Sequence, residues 1–320
     1  MKPESHPAFE SLDRLATIEM RPPTSPAGIV SPFYTLARGE RSEPISLAIA
    51  RSLLRRQGEK ALIVTGLVEE GRFPQGEVDG PIGSLALART LAGLGSEVTI
   101  VIDPEAVGPV EKLVDAAGLD GVTLMESRFS SAAEAREFAA QFGVVAAIEK
   151  LGQNSVGGRH LIWGTPVTAG DLFADDYLRA ATDNGALTLA VGDNGNEIGF
   201  GNIAAESEAL TPRGVSVEGG FFASTTVDHL LPASVSNLGC YVITGAVAIL
   251  ARRANLAVTG DLVREWTELG LRAGLRSGGV DDPAFQGDDG IPLRFVAAHA
   301  ELISGIVHQS LLGDPWVADQ

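Results

Sequence analysis

The amino-acid sequence predicts an α/β fold in which a mostly parallel sheet carries helices on both faces. Continuous apolar runs such as ALIVTGL (61–67) and VVAAIEK (144–150) are typical of strands that are buried on both sides. Helical patterns separate these runs, and repeated strand–helix alternation favours a parallel, Rossmann-like sheet. With 320 residues, 45% of them hydrophobic, the chain can bury one large core. We therefore expect a single α/β domain over 31–320, after a partly ordered, Pro-rich lead-in at 1–30.

The predicted elements follow one another in chain order. Strands are expected at 61–67, 97–103, 122–125, 144–150 and 187–193. Helices are expected at 79–95, 105–119, 131–143 and 239–253, with two more towards the C-terminus, and the segment 225–237 is assigned to neither class. Three of the strands end on an acid, namely Asp103, Glu149 and Asp193. Because ligands of such sheets bind beyond the carboxyl ends of the strands, we expect the chemistry there.

Composition excludes several classes of partner. The formal net charge is −17, from 24 basic and 41 acidic residues, so we expect neither a nucleic acid nor an anionic membrane as partner. No apolar run reaches the length of a membrane span, and the N-terminus lacks the apolar core of a signal peptide. The single cysteine, Cys240, excludes an internal disulfide. These features predict a soluble, cytoplasmic protein that acts on a small molecule, and they leave a homo-oligomer open.

The first chemistry-bearing segment is Asp79–Gly83, with the sequence DGPIG, between a strand and a helix. Proline and two glycines at a helix start leave backbone N–H groups free and allow a ligand to approach closely. Gly80 and Gly83, with Asp79, are therefore candidates for binding an anionic substrate group. An ordinary tight turn capped by Asp79 is the alternative.

The second segment places Glu149 beside Lys150 at a strand end. Adjacent side chains in a strand point to opposite faces, so these two need not pair with each other. Lys150 stands where a substrate carboxylate would need a cation, although a solvated surface pair explains the two residues equally well.

The third and most specific segment is GDNGNEIGFG (192–201). Its glycines permit positive φ angles, so the side chains of Asp193, Asn196 and Glu197 can converge. Their oxygens could bind a divalent cation such as Mg²⁺ or Mn²⁺ or the head group of an amino acid, whereas a structural Asx-turn loop is the alternative.

The fourth segment, SVSNLGC (234–240), leads into an apolar helix. Ser236 and Asn237 are natural N-caps, so we expect one to cap the helix and the other to reach a ligand. We expect Cys240 to be a small buried residue rather than a nucleophile. The histidines lack metal spacing, His229 reads as structural, and the usual nucleotide fingerprints are absent, so no organic cofactor is expected.

Together the four segments resemble the D-glutamate cyclase-like family. The matching stretches are VDGPIGSLALARTL, VVAAIEKLG, VGDNGNEIGFGN and VDHLLPASVSNLGCY, in this order, and DDGIPLRF with a following helix is similar to the family's ending. The resemblance covers residues 60–310, and its most distinctive motif is G-D-x-G-N-E-x-G-x-G.

The resemblance implies a lyase that closes D-glutamate to 5-oxo-D-proline, a lactam. The α-amine attacks the γ-carboxyl group and water leaves, which requires a base and a group that stabilises the oxyanion. Glu149 or Asp193 could be the base. The oxyanion could be met by Lys150, by the N–H groups of Gly80–Gly83, or by Mg²⁺ or Mn²⁺ held by Asp193 and Glu197.

The sequence departs from the family pattern around residues 153–160. Gln153 stands where the family usually has arginine, Val156 where it has aspartate, and Arg159 and His160 where it has a pair of tyrosines. Ile82, Asn194 and Leu238 are further departures. An arginine lost at 153 and gained at 159 indicates a rearranged substrate pocket and makes Arg159 a candidate binding residue.

Two other classes of function stay open from the sequence. One is a nucleotide-dependent oxidoreductase that holds a ribose with Asp103, against which the missing glycine fingerprint argues. The other is a binding protein that keeps the pocket but has no turnover.

Overall fold

A six-stranded parallel sheet forms the centre of the fold. The computed structural model describes residues 7–23, 25–171 and 173–312. Positions 1–6 and 24 of the predicted lead-in, and 172 and 313–320 of the predicted domain, lie outside the described residues. The strands are β1 Ala61–Thr65, β2 Val98–Ile102, β3 Val122–Glu126, β4 Val144–Ile148, β5 Leu187–Gly192 and β6 His229–Pro232.

All five strand pairs are parallel, in the order β3-β2-β1-β4-β5-β6. The prediction of a Rossmann-like parallel sheet is thereby confirmed. The order reverses between β1 and β4, and this switch point is where the carboxyl ends of parallel strands leave a crevice for a ligand. β6 was not predicted because it has only four residues and ends at Pro232, which an edge strand tolerates.

Eleven helices of the described chain surround the sheet. They are α1 Pro7–Ala16, α2 Val30–Arg38, α3 Ile45–Arg55, α4 Pro81–Gly93, α5 Val107–Ala117, α6 Ala132–Ala139, α7 Ala174–Asp183, α8 Ala204–Ser207, α9 Ser236–Ala251, α10 Gly260–Ala273 and α11 Leu293–Leu311. A short antiparallel pair, β7 Gly287–Asp288 and β8 Ile291–Pro292, precedes α11. No helix among the described residues is both long and apolar enough to cross a membrane.

The core lies on both faces of the sheet. One face packs against a layer that includes α3, α4 and α9, and the other against α6 and α7. α9 is apolar on nearly all sides because α1, α3, α4 and α11 pack around it. In the region predicted as a lead-in, α1 buries Phe9, Leu12 and Ala16 in this layer. The chain that follows α1 is thereby held beside the carboxyl ends of the strands.

A candidate active site at the carboxyl ends of the strands

Three buried carboxyl groups meet at the switch point. Glu149 follows β4, Asp193 follows β5, and Asp79 precedes α4; one oxygen of each lies within 4.8 Å of the others. Their relative exposures are 6%, 1% and 1%. Glu149 has a φ of +46°, which is a strained conformation for a residue with a side chain. Such strain persists where the surrounding structure fixes a residue, and here it aims a carboxyl group into the cavity described below.

The helices α4 and α9 cap each other. Asn237 Oδ1, on α9, accepts hydrogen bonds from the N–H groups of Gly80 (3.0 Å) and Gly83 (2.5 Å) at the start of α4. In return, the Asp79 carboxylate accepts from the N–H groups of Ser236 (3.0 Å) and Asn237 (2.7 Å) at the start of α9. The N–H groups that the sequence left free for a ligand therefore already have acceptors within the protein.

This arrangement corrects the capping predictions. The N-cap position of α9 is Val235 and that of α4 is Gly80, and neither of these two residues caps its helix with its own side chain. Within its own segment, Asp79 Oδ1 accepts a hydrogen bond from the Gly80 N–H group at 2.9 Å. Asp79 and Asn237 each serve the other helix, because the two helix starts meet at the switch point. Sequence distance hides this pairing, since the two residues are 158 positions apart.

The glycines of DGPIG permit close packing. Gly80 has a φ of +94°, and a Cβ there would lie 2.7 Å from Thr65 Oγ1 and 2.9 Å from Glu149 Cβ. A Cβ at Gly83 would lie 2.8 Å from Asn237 Oδ1. Both glycines are thus required for the two helix starts to approach the acids.

Ser236 orients Glu149. Its hydroxyl donates to Glu149 Oε2 at 2.7 Å and lies 3.2 Å from the Val191 carbonyl oxygen. The hydroxyl thus fixes one oxygen of the candidate catalytic carboxyl group.

The loop after β5 is organised by Glu197. Its carboxylate accepts hydrogen bonds from the N–H groups of Asn194 (3.2 Å) and Gly195 (2.8 Å). Asn196 donates from Nδ2 to the His160 carbonyl (2.7 Å), whereas its buried Oδ1 has no hydrogen-bond partner among the described residues. The loop therefore presents an amide oxygen that can accept a hydrogen bond from a ligand.

Arg21 completes the site, and sequence reasoning missed it. Its guanidinium Nη1 lies 2.7 Å from Asp193 Oδ2 and 3.1 Å from Asn194 Oδ1, and Nη2 lies 3.2 Å from the Pro26 carbonyl. The side chain is 2% exposed and also lies 3.9 Å from Asp289. Nothing in the Pro-rich segment around it signals a contact that spans 172 positions.

Three further acids were also missed. Glu77 stands two residues before Asp79, Asp288 is the last residue of β7, and Asp289 begins the turn between β7 and β8. Asp288 Oδ2 accepts from Asn237 Nδ2 at 2.7 Å, and its Oδ1 has no hydrogen-bond partner among the described residues. The E-x-D spacing and the adjacent aspartates of DDGIPLRF were the available signals, but acids are common in surface loops and only the tertiary structure brings these together.

Burial raises the pKa of most of these acids. It holds the pKa values of Glu77, Glu149 and Asp193 well above the ordinary carboxyl range, and neighbouring acids add to the effect. For Asp79, burial followed by the nearby Asp289 raises the pKa to about 8. The Arg21 charge acts in the opposite direction on the pKa of Asp193. The site therefore contains carboxyl groups that hold protons more tightly than ordinary carboxyl groups do.

Two predicted residues lie apart from this cluster. Lys150 Nζ lies 2.5 Å from Asp103 Oδ1 and 3.0 Å from the Gly66 carbonyl, in a buried ion pair. Arg159 donates to the carbonyl oxygens of Asp171 (2.6 Å) and Ala169 (3.3 Å). Neither belongs to the described residues that line the cavity. Both cations are engaged inside the protein rather than presented to a ligand.

Of the two residues that the sequence predicts to be structural, His229 is half-buried and Cys240 is buried. His229 Nε2 lies 2.9 Å from Ser52 Oγ, and burial lowers its pKa. Cys240 is fully buried, and burial raises the pKa of its thiol.

A cavity of about 550 Å³ opens beside the acids. Its polar side includes Arg21, Glu77, Glu149, Asn196, Glu197 and Asp289. Its apolar side includes Leu67, Phe73, Leu151, Leu161, Ile162 and Trp163. A ligand in this cavity can therefore contact both protonatable carboxyl groups and apolar side chains.

Fold and site define an α/β protein with an acid-lined cavity at the switch point of a parallel sheet. The chain belongs to the D-glutamate cyclase-like, C-terminal family, whose model matches residues 39–307. Arg21 lies before the matched residues.

Known proteins give two further comparisons. Human mitochondrial D-glutamate cyclase is 29% identical over 229 residues, which cover 64% of this chain and 34% of the human protein. The chain thus matches about a third of that relative's length. The crystal structure of RecJ from Thermus thermophilus in complex with Mn²⁺ aligns with a TM-score of 0.34 and 13% identity, over 92% of this chain and 45% of the RecJ chain.

Proposed function

We propose that this protein is a lyase-type cyclase that closes D-glutamate or a related amino dicarboxylate to a 5-oxoproline-type lactam. Family membership supports the reaction class. The observation that carries the proposal is the cavity-facing Glu149, a carboxyl group with a raised pKa that Ser236 holds in place.

The proton transfers of the reaction explain why a carboxyl group with a raised pKa suits it. The substrate amine begins as an ammonium group with three protons, and the lactam nitrogen keeps one of them. The γ-carboxyl carbon forms a bond to nitrogen and loses one oxygen, which needs two protons to leave as water. The reaction therefore transfers two protons from nitrogen to oxygen, and a carboxyl group whose pKa is raised above the ordinary range can accept and return them.

The other residues have distinct roles in this proposal. Glu149 accepts a proton from the ammonium group and later donates to the departing oxygen. The unpartnered Asn196 Oδ1 accepts a hydrogen bond from the amine. Arg21 pairs with Asp193 next to Glu149. Glu197 accepts a backbone hydrogen bond that stabilises the loop after β5. Lys150 forms a buried ion pair with Asp103, which stabilises the carboxyl ends of the strands.

A divalent cation is a further part of the proposal. The oxygens of Asp79, Glu149 and Asp193 suit Mg²⁺ or Mn²⁺, which prefer oxygen ligands. Glu197 does not belong to this group of three, although the sequence paired it with Asp193. When bound, the ion would neutralise the acids and polarise the reacting carboxyl group.

The two other classes of function fit the site less well. A dinucleotide carries a diphosphate, which the acids of this cavity would repel. A binding protein without turnover would not need protonatable carboxyl groups at the end of its cavity. The cytoplasmic location stays a prediction.

Mass spectrometry tests the proposed reaction directly. The purified protein is incubated with D-glutamate and with other amines that carry a γ-carboxyl group, with and without Mg²⁺ or Mn²⁺. We expect a product that has lost one water molecule and no longer has a free amine. If no member of the panel yields such a product, the protein is not a cyclase of this type.

A further inference from the structure

The charge of the cavity does not suit free glutamate. Among the described residues, six acids and two arginines line it, the acids being Glu77, Glu149, Glu197, Asp281, Asp282 and Asp289. Arg21 is already engaged by Asp193, Asn194 and Pro26. The other arginine, Arg72, is an exposed residue at the open side. A substrate with a charged α-carboxylate would therefore find no buried cation free to pair with it among the described residues that line the cavity.

The size of the cavity also exceeds that of glutamate. At about 30 Å³ per water molecule, 550 Å³ corresponds to roughly 18 waters, whereas glutamate has about ten non-hydrogen atoms. Apolar side chains form part of the lining of this cavity. Leu67, Phe73, Leu151 and Leu161 form part of a separate buried cluster beneath it, and Trp163 lies at the edge with 50% of its surface exposed.

Such an exposed tryptophan beside an apolar wall is typical of a surface that a ligand covers. Leu151 joins this wall to the reacting end, because it lies two residues after Glu149 and both line the cavity. One molecule of sufficient length can therefore contact both sides.

The chemistry restricts where an apolar substituent can be attached. The amine must stay free to attack, and the reacting carboxyl group must stay free to lose its oxygen. The α-carboxyl group and the carbon chain remain as possible attachment points for an apolar substituent. Blocking the α-carboxyl group as an amide removes the unfavourable charge and supplies the attachment point, without changing the bonds that form and break.

We propose that the substrate is a γ-carboxylated primary amine that carries an uncharged apolar or aromatic extension at its α-carboxyl position, seated against Phe73, Leu161 and Trp163. This inference rests on the proposed cyclase function and specifies its substrate class.

Binding calorimetry tests the inference independently of turnover. The ligands are D-glutamate and D-glutamate α-benzylamide, with the L-enantiomers measured alongside. We expect the benzylamide to bind at least about tenfold more tightly than D-glutamate, since burying apolar groups in such a pocket gives factors of this size. Equal or tighter binding of free glutamate, or no binding of the benzylamide, would overturn the inference.

Two variants test where the apolar extension of the substrate binds. Trp163→Ala should weaken benzylamide binding about tenfold and leave glutamate binding within about twofold, because the side chain contacts only the extension. Its exposure means that the replacement removes little core packing. Leu302→Ala, at a position 59% exposed on α11 and outside the cavity lining, is the matched control and should change neither affinity. Equal weakening of both ligands by Trp163→Ala would contradict the proposed position.

Turnover then separates the two proposals. Loss of water from the benzylamide, faster than from D-glutamate, supports both. Selective binding of the benzylamide without any lactam supports the binding position of the apolar extension and overturns the cyclase function. Efficient lactam formation from free glutamate alone supports the cyclase function and overturns the substrate class.

Discussion

At the scale of single residues, Glu149 and Arg21 determine the character of the site. Glu149 combines a strained backbone, a fixed hydroxyl partner and a position on the cavity wall. Arg21 supplies the buried positive charge that lets Asp193 and Asp289 lie together. The sequence predicts Glu149, because it follows a strong strand, but it does not predict Arg21, because a lone arginine in a Pro-rich segment carries no periodicity or motif.

Replacing Arg21 should destabilise the protein. Arg21→Met leaves Asp193 and Asp289 without the guanidinium, and removing one partner of a buried ion pair costs about 3 kcal/mol or more. Urea unfolding at neutral pH measures the loss. Arg128→Met removes an ion pair with Glu126 from a side chain that is 75% exposed, and should leave the free energy of unfolding nearly unchanged. Similar values for the two variants would contradict a structural role for Arg21.

Protonation of Asp79 should make stability depend on pH. Its ordinary pKa of 3.8 rises to about 8 in the folded protein, so the native state binds this proton more tightly than the unfolded chain. The resulting stabilisation is complete below about pH 4 and is lost as the pH rises to about 8. In Asp79→Asn, which stays neutral, the slope of the unfolding free energy against pH should be reduced by up to about 1.4 kcal/mol per pH unit in that window.

Urea unfolding between pH 4 and 9, with a chelator present, measures this slope. The exposed Asp115→Asn controls for the change in net charge and should keep the slope of the native protein. An unchanged slope in Asp79→Asn would show that Asp79 is ionised throughout.

At the scale of elements, the contact between the starts of α4 and α9 forms one wall of the site. The sequence predicts both helices, because each is a long run with a clear start signal. It does not predict that Asp79 caps α9 and Asn237 caps α4, because local capping rules consider only the residues next to a helix. The position of Asp193 at a strand end is predictable because, like Glu149, it follows a strong strand. The contributions of Glu77, Asp288 and Asp289 depend on packing between segments that are far apart in sequence.

Adding a methyl group at Gly83 should force α4 and α9 apart. The new Cβ would lie 2.8 Å from Asn237 Oδ1 and 2.9 Å from Asn237 Cα. Overpacking of this kind destabilises proteins by about 1–3 kcal/mol. Gly108→Ala, in α5, is the control, because its Cβ would meet no atom within 4 Å and alanine favours a helix by up to about 1 kcal/mol. Thermal unfolding should therefore move in opposite directions for the two variants, and a stabilised Gly83→Ala would contradict the close packing.

At the scale of the whole molecule, the sheet brings distant parts of the chain to one site. The strand order places β1 beside β4, α1 leads to Arg21, and the turn between β7 and β8 closes the acidic cluster from the C-terminal side. The sequence predicts the parallel sheet from its apolar runs, which is a property of the core. It cannot predict which loops meet above the sheet, because that depends on how α1 and α11 pack against α9.

A divalent cation that binds the acids should stabilise the whole fold. A ligand that binds only the native state raises the melting temperature with its concentration, so Mg²⁺ or Mn²⁺ should do so. Asp193→Asn should abolish the increase, since it removes a charged member of the group of three. The exposed Asp115→Asn should retain it. An equal increase in Asp193→Asn would place the ion elsewhere.

The rate of lactam formation by Glu149→Gln tests whether Glu149 carries the proton transfer. Mass spectrometry follows the loss of water from the best substrate of the γ-carboxylated amine panel, and calorimetry checks that the variant still binds it. A glutamine keeps the size of the side chain but cannot exchange the proton, and general acid–base catalysis contributes about 100-fold or more. We expect turnover to fall by at least about 100-fold while binding changes little. Turnover close to that of the native protein would contradict the assignment of Glu149 as the group that moves protons between nitrogen and oxygen.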